Sequence, residues 1–183
     1  MLPKRFPDRD PVAVVREAAE GLEAGASDES RSFRLAGRVL ARREMGKITF
    51  LDLVDRSGRI QLLAGKVDVD LGDVVGVSGH PAKSRRGEPS LQVAELELLA
   101  KNTRPLPDTF HGLTDVELRY RKRYLDLLVN EETRRSFEIR TRAVAEIRRA
   151  LDEDGFLEVE TPVLQPRYGG AFATPFVTRY HEL

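Results

Sequence analysis

The apolar positions of this chain change period twice. Between residues 11 and 25, "PVAVVREAAEGLEAG" carries its valines and alanines at helical spacing, and Asp10-Pro11 supplies an N-cap acid followed by proline at the first helical position. This predicts a short helix ending near Gly25. From Ser32 the period becomes two. In "FRLAGRVLARR", Phe33, Leu35, Gly37, Val39 and Ala41 share one face. "KITFLDL", "GRIQLLA", "DVVGVSG" and "SLQVAELELLA" continue the alternation, separated by the turn-rich segments "EMGK", "DRSG", "KVDVDLG" and "PAKSRRGEP". After the linker-like "KNTRPLPDTFHG", helical spacing returns. Thr114 and Glu117 form a capping-box pattern before "VELRYRKRYLDLLV". Asn130 precedes a second helix through Leu151, with Phe137, Val144, Ile147 and Leu151 at helical intervals and Gly155 as its stop. Asp152, Glu153 and Asp154 oppose the dipole at that end. The following "GFLEVETP" reads as a strand over 156–162.

Five short strands in about 70 residues fit a small closed sheet, and a five-stranded barrel of the oligonucleotide/oligosaccharide-binding type (OB-fold) is the leading choice. A sandwich would need more strands. The "DRSG" turn sets a register. Leu53 faces Ile60, Asp52 faces Gln61 and Leu51 faces Leu62. Leu51, Leu53, Ile60 and Leu62 then point inward, while Phe50, Asp52, Gln61 and Leu63 point outward. Two readings are open for Phe50: stacking on a base, or packing under the N-terminal helix. Gln61 can donate to and accept from a base edge. Arg42, Arg43 and Lys47 come from the turn between strands 1 and 2. Lys83, Arg85, Arg86 and Glu88 come from the turn between strands 4 and 5.

Composition narrows the function. A chain of 183 residues has room for one domain and part of another. Its charged fraction of 33 % suits a water-exposed, highly charged surface. The net charge is zero, but residues 101–150 hold 12 Lys and Arg against 8 Asp and Glu. A basic middle of this kind serves either a polyanion or a solvated helix face. With no cysteine, disulfides and thiolate zinc sites are excluded, and His80, His111 and His181 are too scattered to propose a metal site. No signal-peptide core or membrane-length apolar run occurs, so a cytoplasmic location without membrane attachment is expected.

Three stretches, "GRVLARREMGKITFLDLVDRSGRIQLL", "RPLPDTFHGLTDVELRYRKRYLDLLVN" and "DEDGFLEVETPVLQPRYGGAFATPF", resemble the N-terminal part of bacterial-type class II lysyl-tRNA synthetases. The similarity runs from about Arg5 to Leu183. It implies an α+β chain: an N-terminal helical extension (1–30), an OB-fold anticodon-binding barrel (31–103), a linker and hinge helix (104–129), and the incomplete start of a class II catalytic domain (130–183). It implies tRNA anticodon contacts by Arg43, Phe50, Gln61 and Glu88, and it marks Gly169 and Gly170 of "GGAFATPF" as lining a lysine pocket. It reads "GFLEVETP" as motif 1, a homodimer interface including Gly155, Phe156 and Pro162. The family's partners are a lysine-specific tRNA with a U-rich anticodon and a second subunit. Its cofactors are ATP and Mg²⁺. Motifs 2 and 3, which hold ATP, are not found in these 183 residues, so no catalytic residue or metal site is assigned. The chain alone is expected to bind neither cofactor and to be inactive. A free-standing OB-fold tRNA-binding module, or a relative of the aspartyl and asparaginyl enzymes, is the alternative.

Overall fold

The computed structural model describes residues 5–107, 112–162, 172, 174, 178, 179 and 181. The chain divides into two compact units, Met1–Arg134 and Arg135–Leu183.

The first unit is built on a closed barrel. Its strands are β1 (Phe33–Met45), β2 (Ile48–Val54), β3 (Arg59–Ala64), β4 (Val74–Lys83) and β5 (Pro89–Ala100), in the order β1-β2-β3-β5-β4, with β1 and β4 pairing to close it. All pairs are antiparallel except β3 with β5. The expected β2–β3 register is present: Leu51 pairs with Leu62, Asp52 with Gln61 and Leu53 with Ile60. Leu51, Leu53, Ile60 and Leu62 are buried with Leu35, Val39, Val75, Val77 and Leu91 in one core. On β2 and β3 the two faces are thus separated by alternation. On β1 a register shift between Val39 and Ala41 interrupts it, so Ala41, expected on the inward face, pairs with Asp52 on the outer one. At Gly37 the barrel wall leaves no room for a side chain, because a Cβ there would lie 2.6 Å from the Val54 carbonyl oxygen.

Helix α1 (Val12–Glu20) supplies Val12 and Val15 to the same core. It is shorter than the pattern implied, ending at Gly21 rather than Gly25, and its cap differs too. Pro11 occupies the N-cap position with no side-chain cap bond. Asp10 instead accepts from the Arg34 amide (3.0 Å) on β1. The free amides at the helix start reach across to the β2–β3 turn. Val12 N donates to Asp55 Oδ2 (3.0 Å) and Ala13 N donates to Ser57 Oγ (3.0 Å). Asp55 Oδ1 meanwhile accepts from Ser57 N (2.7 Å), Ser57 Oγ (2.7 Å) and Gly58 N (3.0 Å). One carboxylate therefore closes the turn and caps a helix 43 residues earlier in the chain.

Beyond the barrel, Asp73 is fully buried and ties β4 to the start of the linker. It accepts from the backbone amides of Asn102 (2.7 Å) and Asp70 (2.9 Å) and from Lys101 Nζ (3.0 Å). Burial acts to raise its pKa, but these hydrogen bonds and the Lys101 charge outweigh it and hold the carboxyl below its ordinary value.

The expected single hinge helix is two: α2 (Val116–Arg121) and α3 (Arg123–Val129), broken at Lys122. No glycine or proline marks the break in the sequence. The cap of α2 is Asp115, accepting from Leu118 N (2.6 Å), rather than Thr114. Arg119, Arg123, Asn130 and Thr133 all donate to the buried Asp126 carboxylate. Asn130 does not spend its side chain capping the next helix. Its Oδ1 accepts from Leu113 N (3.0 Å) and its Nδ2 donates to Leu113 O (2.9 Å), pinning the chain ahead of α2 like a strand partner. The Asp126 carboxyl also lies below its ordinary value. Burial raises it, but the Asn130 and Arg119 hydrogen bonds and the Arg119 charge lower it further.

Helix α4 (Glu131–Glu153) ends as expected at Gly155, whose φ is 84°. Phe156 N donates to Leu151 O (2.9 Å) and Gly155 N to Asp152 O (3.0 Å), the bond pair of a Schellman motif. Glu153 is neutralised by Arg149 (2.6 Å). The strand expected over 156–162 does not form. Those residues are exposed and join no strand among the described residues, where no ladder is available to them, although Glu158 accepts from Arg148 (3.0 Å).

Two outcomes are expected. Asp55→Ala should lower barrel stability by about 1–3 kcal/mol in denaturant unfolding, since it frees both turn amides and the helix cap. Asp73 and Asp126 have depressed folded-state pKa values, so their stabilisation is present above the unfolded value of about 3.9 and disappears as pH falls through the folded values. Thermal stability should therefore fall steeply below about pH 4. Asp126→Asn should raise hydrogen exchange at residues 113–134 while leaving β1–β5 protected.

Candidate nucleic-acid interface

The outer face of β1, β2, β3 and β5 carries cross-strand rows. Arg43 pairs with Phe50, Phe50 with Leu63, and Leu63 with Gln92. One step along, Ala41 pairs with Asp52, Asp52 with Gln61, and Gln61 with Ser90. Phe50 is half-buried and outside the core cluster, so it does not serve as a core residue under α1. The Arg43 guanidinium lies 5.9 Å from its ring centroid. An aromatic face with a cation beside it suits stacking of a base and contact with its phosphate.

Gln61 faces outward in register but is only 8 % exposed, and Asp52 only 6 %. Their neighbours explain this. Asp52 Oδ2 is held by Arg59 at 2.5 Å. Ser90 Oγ lies 3.2 Å from Gln61 Oε1 and 2.9 Å from the Glu88 carbonyl, so its single proton is shared between the two. Ser90 thus ties the Gln61 amide to the turn that carries Glu88. No buried side-chain nitrogen or oxygen among the described residues lacks a partner. The Gln61 amide nitrogen, with no protein acceptor assigned to it, therefore reaches solvent as a donor.

Glu88 is exposed at the end of the β4–β5 turn, where its amide donates to Ser84 Oγ (3.0 Å) and its carbonyl accepts from Ser84 N (2.9 Å). Arg85 and Arg86 are exposed in the same turn. The four barrel residues singled out in the sequence, Arg43, Phe50, Gln61 and Glu88, lie along one strip. Lys83 does not join them. Its Nζ donates to Glu20 O (2.8 Å) and caps the C-terminus of α1. Arg42 pairs with Glu44 (2.5 Å). Sequence reasoning missed Ser90; its place opposite Gln61 depends on the parallel β3–β5 pairing, which no local pattern announces.

In the second unit, Gly155 and the exposed Phe156 and Pro162 follow α4. Phe137, Ile139, Val144, Ile147 and Leu151 are exposed on α4 itself. Gly169 and Gly170 lie outside the described residues, as do His111 and most of "GGAFATPF". Among the described residues no group of three His, Cys, Asp or Glu side chains is placed to hold a metal ion. None of the described helices is long and apolar enough to cross a membrane.

Residues 33–99 match the family model of an OB-fold nucleic acid binding domain, and residues 115–183 match that of the class II tRNA synthetases (D, K and N). The fold and these matches thus describe an OB-fold barrel followed by part of a class II synthetase domain. The lysine–tRNA ligase of Deinococcus radiodurans is 48 % identical over 171 residues, 88 % of this chain and 33 % of that protein. That of Haemophilus influenzae is 49 % identical, over 82 % of this chain and 32 % of that protein. That of Carboxydothermus hydrogenoformans is 46 % identical, over 84 % of this chain and 34 % of that protein. Over most of its length the chain is similar to these lysine–tRNA ligases, and it spans about a third of their length.

Ser90→Ala should leave the barrel folded but release the Gln61 amide. The expected result is a modestly lowered melting temperature, since a fully buried hydrogen-bonding hydroxyl is lost, with reduced discrimination between uracil- and cytosine-containing loop RNAs in a binding titration.

Proposed function

We propose that this chain is the anticodon-binding and motif 1 portion of a lysine–tRNA ligase of the translation apparatus, working in the cytoplasm. The observation that carries the reading is the strip itself: Arg43 and Phe50 as a stacking pair, with the Gln61 amide nitrogen presented beside them and Glu88 at the strip's end. An aromatic platform beside an amide donor suits a single-stranded base that offers carbonyl acceptors, as uracil does. The partner is then a lysine-specific tRNA with a U-rich anticodon. In the full-length protein the reaction joins lysine to the α-phosphate of ATP with release of pyrophosphate. Lysine then passes to the terminal ribose of the tRNA. ATP and Mg²⁺ belong to that full-length enzyme, and Gly169 and Gly170 are proposed to line its lysine pocket once the rest of the catalytic domain is present.

The exposed apolar residues of α4 and the segment after it support a homodimer through Gly155, Phe156 and Pro162. A second copy is the natural cover for Phe137, Val144, Ile147 and Leu151, and sedimentation should show dimers.

Phe50→Ala should weaken an anticodon stem-loop bearing a U-rich anticodon by about 1–3 kcal/mol at fixed salt. Equal affinity for the parent and variant proteins would remove Phe50 from the interface. Lysine-dependent pyrophosphate exchange by the purified 183-residue chain should stay at background, because stabilising the α-phosphate requires preorganised positive charge that the resemblance assigns to motifs 2 and 3. Exchange that saturates with lysine would overturn that assignment.

A further inference from the structure

The strip does not end at Phe50. Met45 and Ile48 are the last paired residues of β1 and β2, joined by the two-residue turn Gly46-Lys47. They are 64 % and 47 % exposed, the most open apolar pair on the barrel strands. Alternation places them on the face of Arg43 and Phe50, since the intervening Thr49 is buried on the opposite face. The outer face therefore presents three successive rows: Asp52 with Gln61, Arg43 with Phe50, and Met45 with Ile48.

The rows have a spacing that matters. Two residues along a strand advance about 6.8 Å. That is about twice the 3.4 Å rise of a stacked nucleotide in a duplex strand. Neighbouring rows are thus spaced for bases that are splayed apart, the form in which single-stranded RNA is read. The third row suits a base in its chemistry as well. A thioether is polarisable and packs well on aromatic rings, and a β-branched side chain beside it widens the platform. Lys47 stands exposed in the turn between the two residues, placed for a phosphate. Neither side chain of this row donates a hydrogen bond, and the Met45 thioether is only a weak acceptor.

We propose that Met45 and Ile48 form a platform for the nucleobase next to the one stacked on Phe50. The strip then engages two consecutive single-stranded nucleotides, one stacked on Phe50 beside Gln61 and the next on Met45 and Ile48. Contact at the third row is indifferent to base identity but requires a base to be present. This inference rests on the reading of the strip as an RNA interface and adds a further contact to it.

The test is a binding titration of the 183-residue chain with a stem-loop bearing a U-rich anticodon, repeated with an abasic site at each loop position in turn. The parent, Phe50→Ala and the double variant Met45→Ser/Ile48→Ser are compared. Because both residues are exposed, the double variant should melt like the parent, and Met45→Leu should bind like the parent. The double variant should lose about three- to tenfold in affinity. That loss should vanish when one particular base is removed, and replacing that base by another should leave the loss unchanged. The Phe50→Ala loss should vanish at an adjacent position. Parent-like affinity of the double variant, or coupling to a base not adjacent to the Phe50 base, would overturn the platform while leaving the Phe50 interface standing. If neither Phe50→Ala nor the double variant changes affinity, the RNA reading itself fails.

Discussion

One carboxylate organises the barrel. Asp55 closes the β2–β3 turn through the amides of Ser57 and Gly58 and caps α1 through the amide of Val12. A one-residue slip of that hairpin would exchange its two faces. Phe50 and Gln61 would turn into the barrel, and Leu51 and Leu62 would turn out to water. The hydrophobic pattern already disfavours the slip. The turn removes it locally, because only this pairing brings Gly58 and Ser57 to the Asp55 side chain. The same side chain brings α1 to the barrel, where Val12 and Val15 complete the core.

Two buried carboxylates likewise stand where the chain passes from one element to the next. Asp73 joins the end of the barrel to Lys101 and Asn102. Asp126 gathers Arg119, Arg123, Asn130 and Thr133 where α2 and α3 meet the start of α4. A carboxylate suits such a junction because it accepts several bonds at once, from amides as readily as from cations. These contacts come from chain ends, turns and helix termini, where backbone donors are otherwise left over. They also leave the junctions sensitive to acid, unlike the apolar core.

The outward strip shows how a surface inherits its arrangement from a core. Leu51 and Leu62 are held inside by burial, and their immediate neighbours Phe50 and Gln61 are therefore held outside. The row spacing follows from the pleat. Basic residues were less predictable. Arg43 stays beside Phe50, while Lys83 is drawn to the C-terminus of α1 and Arg42 to Glu44. Long flexible side chains choose partners by tertiary proximity.

Local sequence determined the five strands, the inward faces of β2 and β3, the β2–β3 register and the Gly155 stop, because each depends on neighbours within one hairpin or one helical turn; the β1 bulge that turns Ala41 outward was not legible. The family resemblance was legible for the same reason that it is local, in short quoted runs. Tertiary structure decided the rest. Asp10 and Thr114 looked like caps, but Asp55 and Asp115 serve, since a helix terminus takes whichever acceptor the fold delivers. "VELRYRKRYLDLLV" carries no breaker, yet it divides at Lys122 where two arginines converge on Asp126. Gln61 reads as an exposed amide until Ser90 arrives from β5, 29 residues later, to anchor it. Residues 156–162 have a strand's alternation but no strand, because a ladder needs a second chain segment and alternation supplies only one side of it.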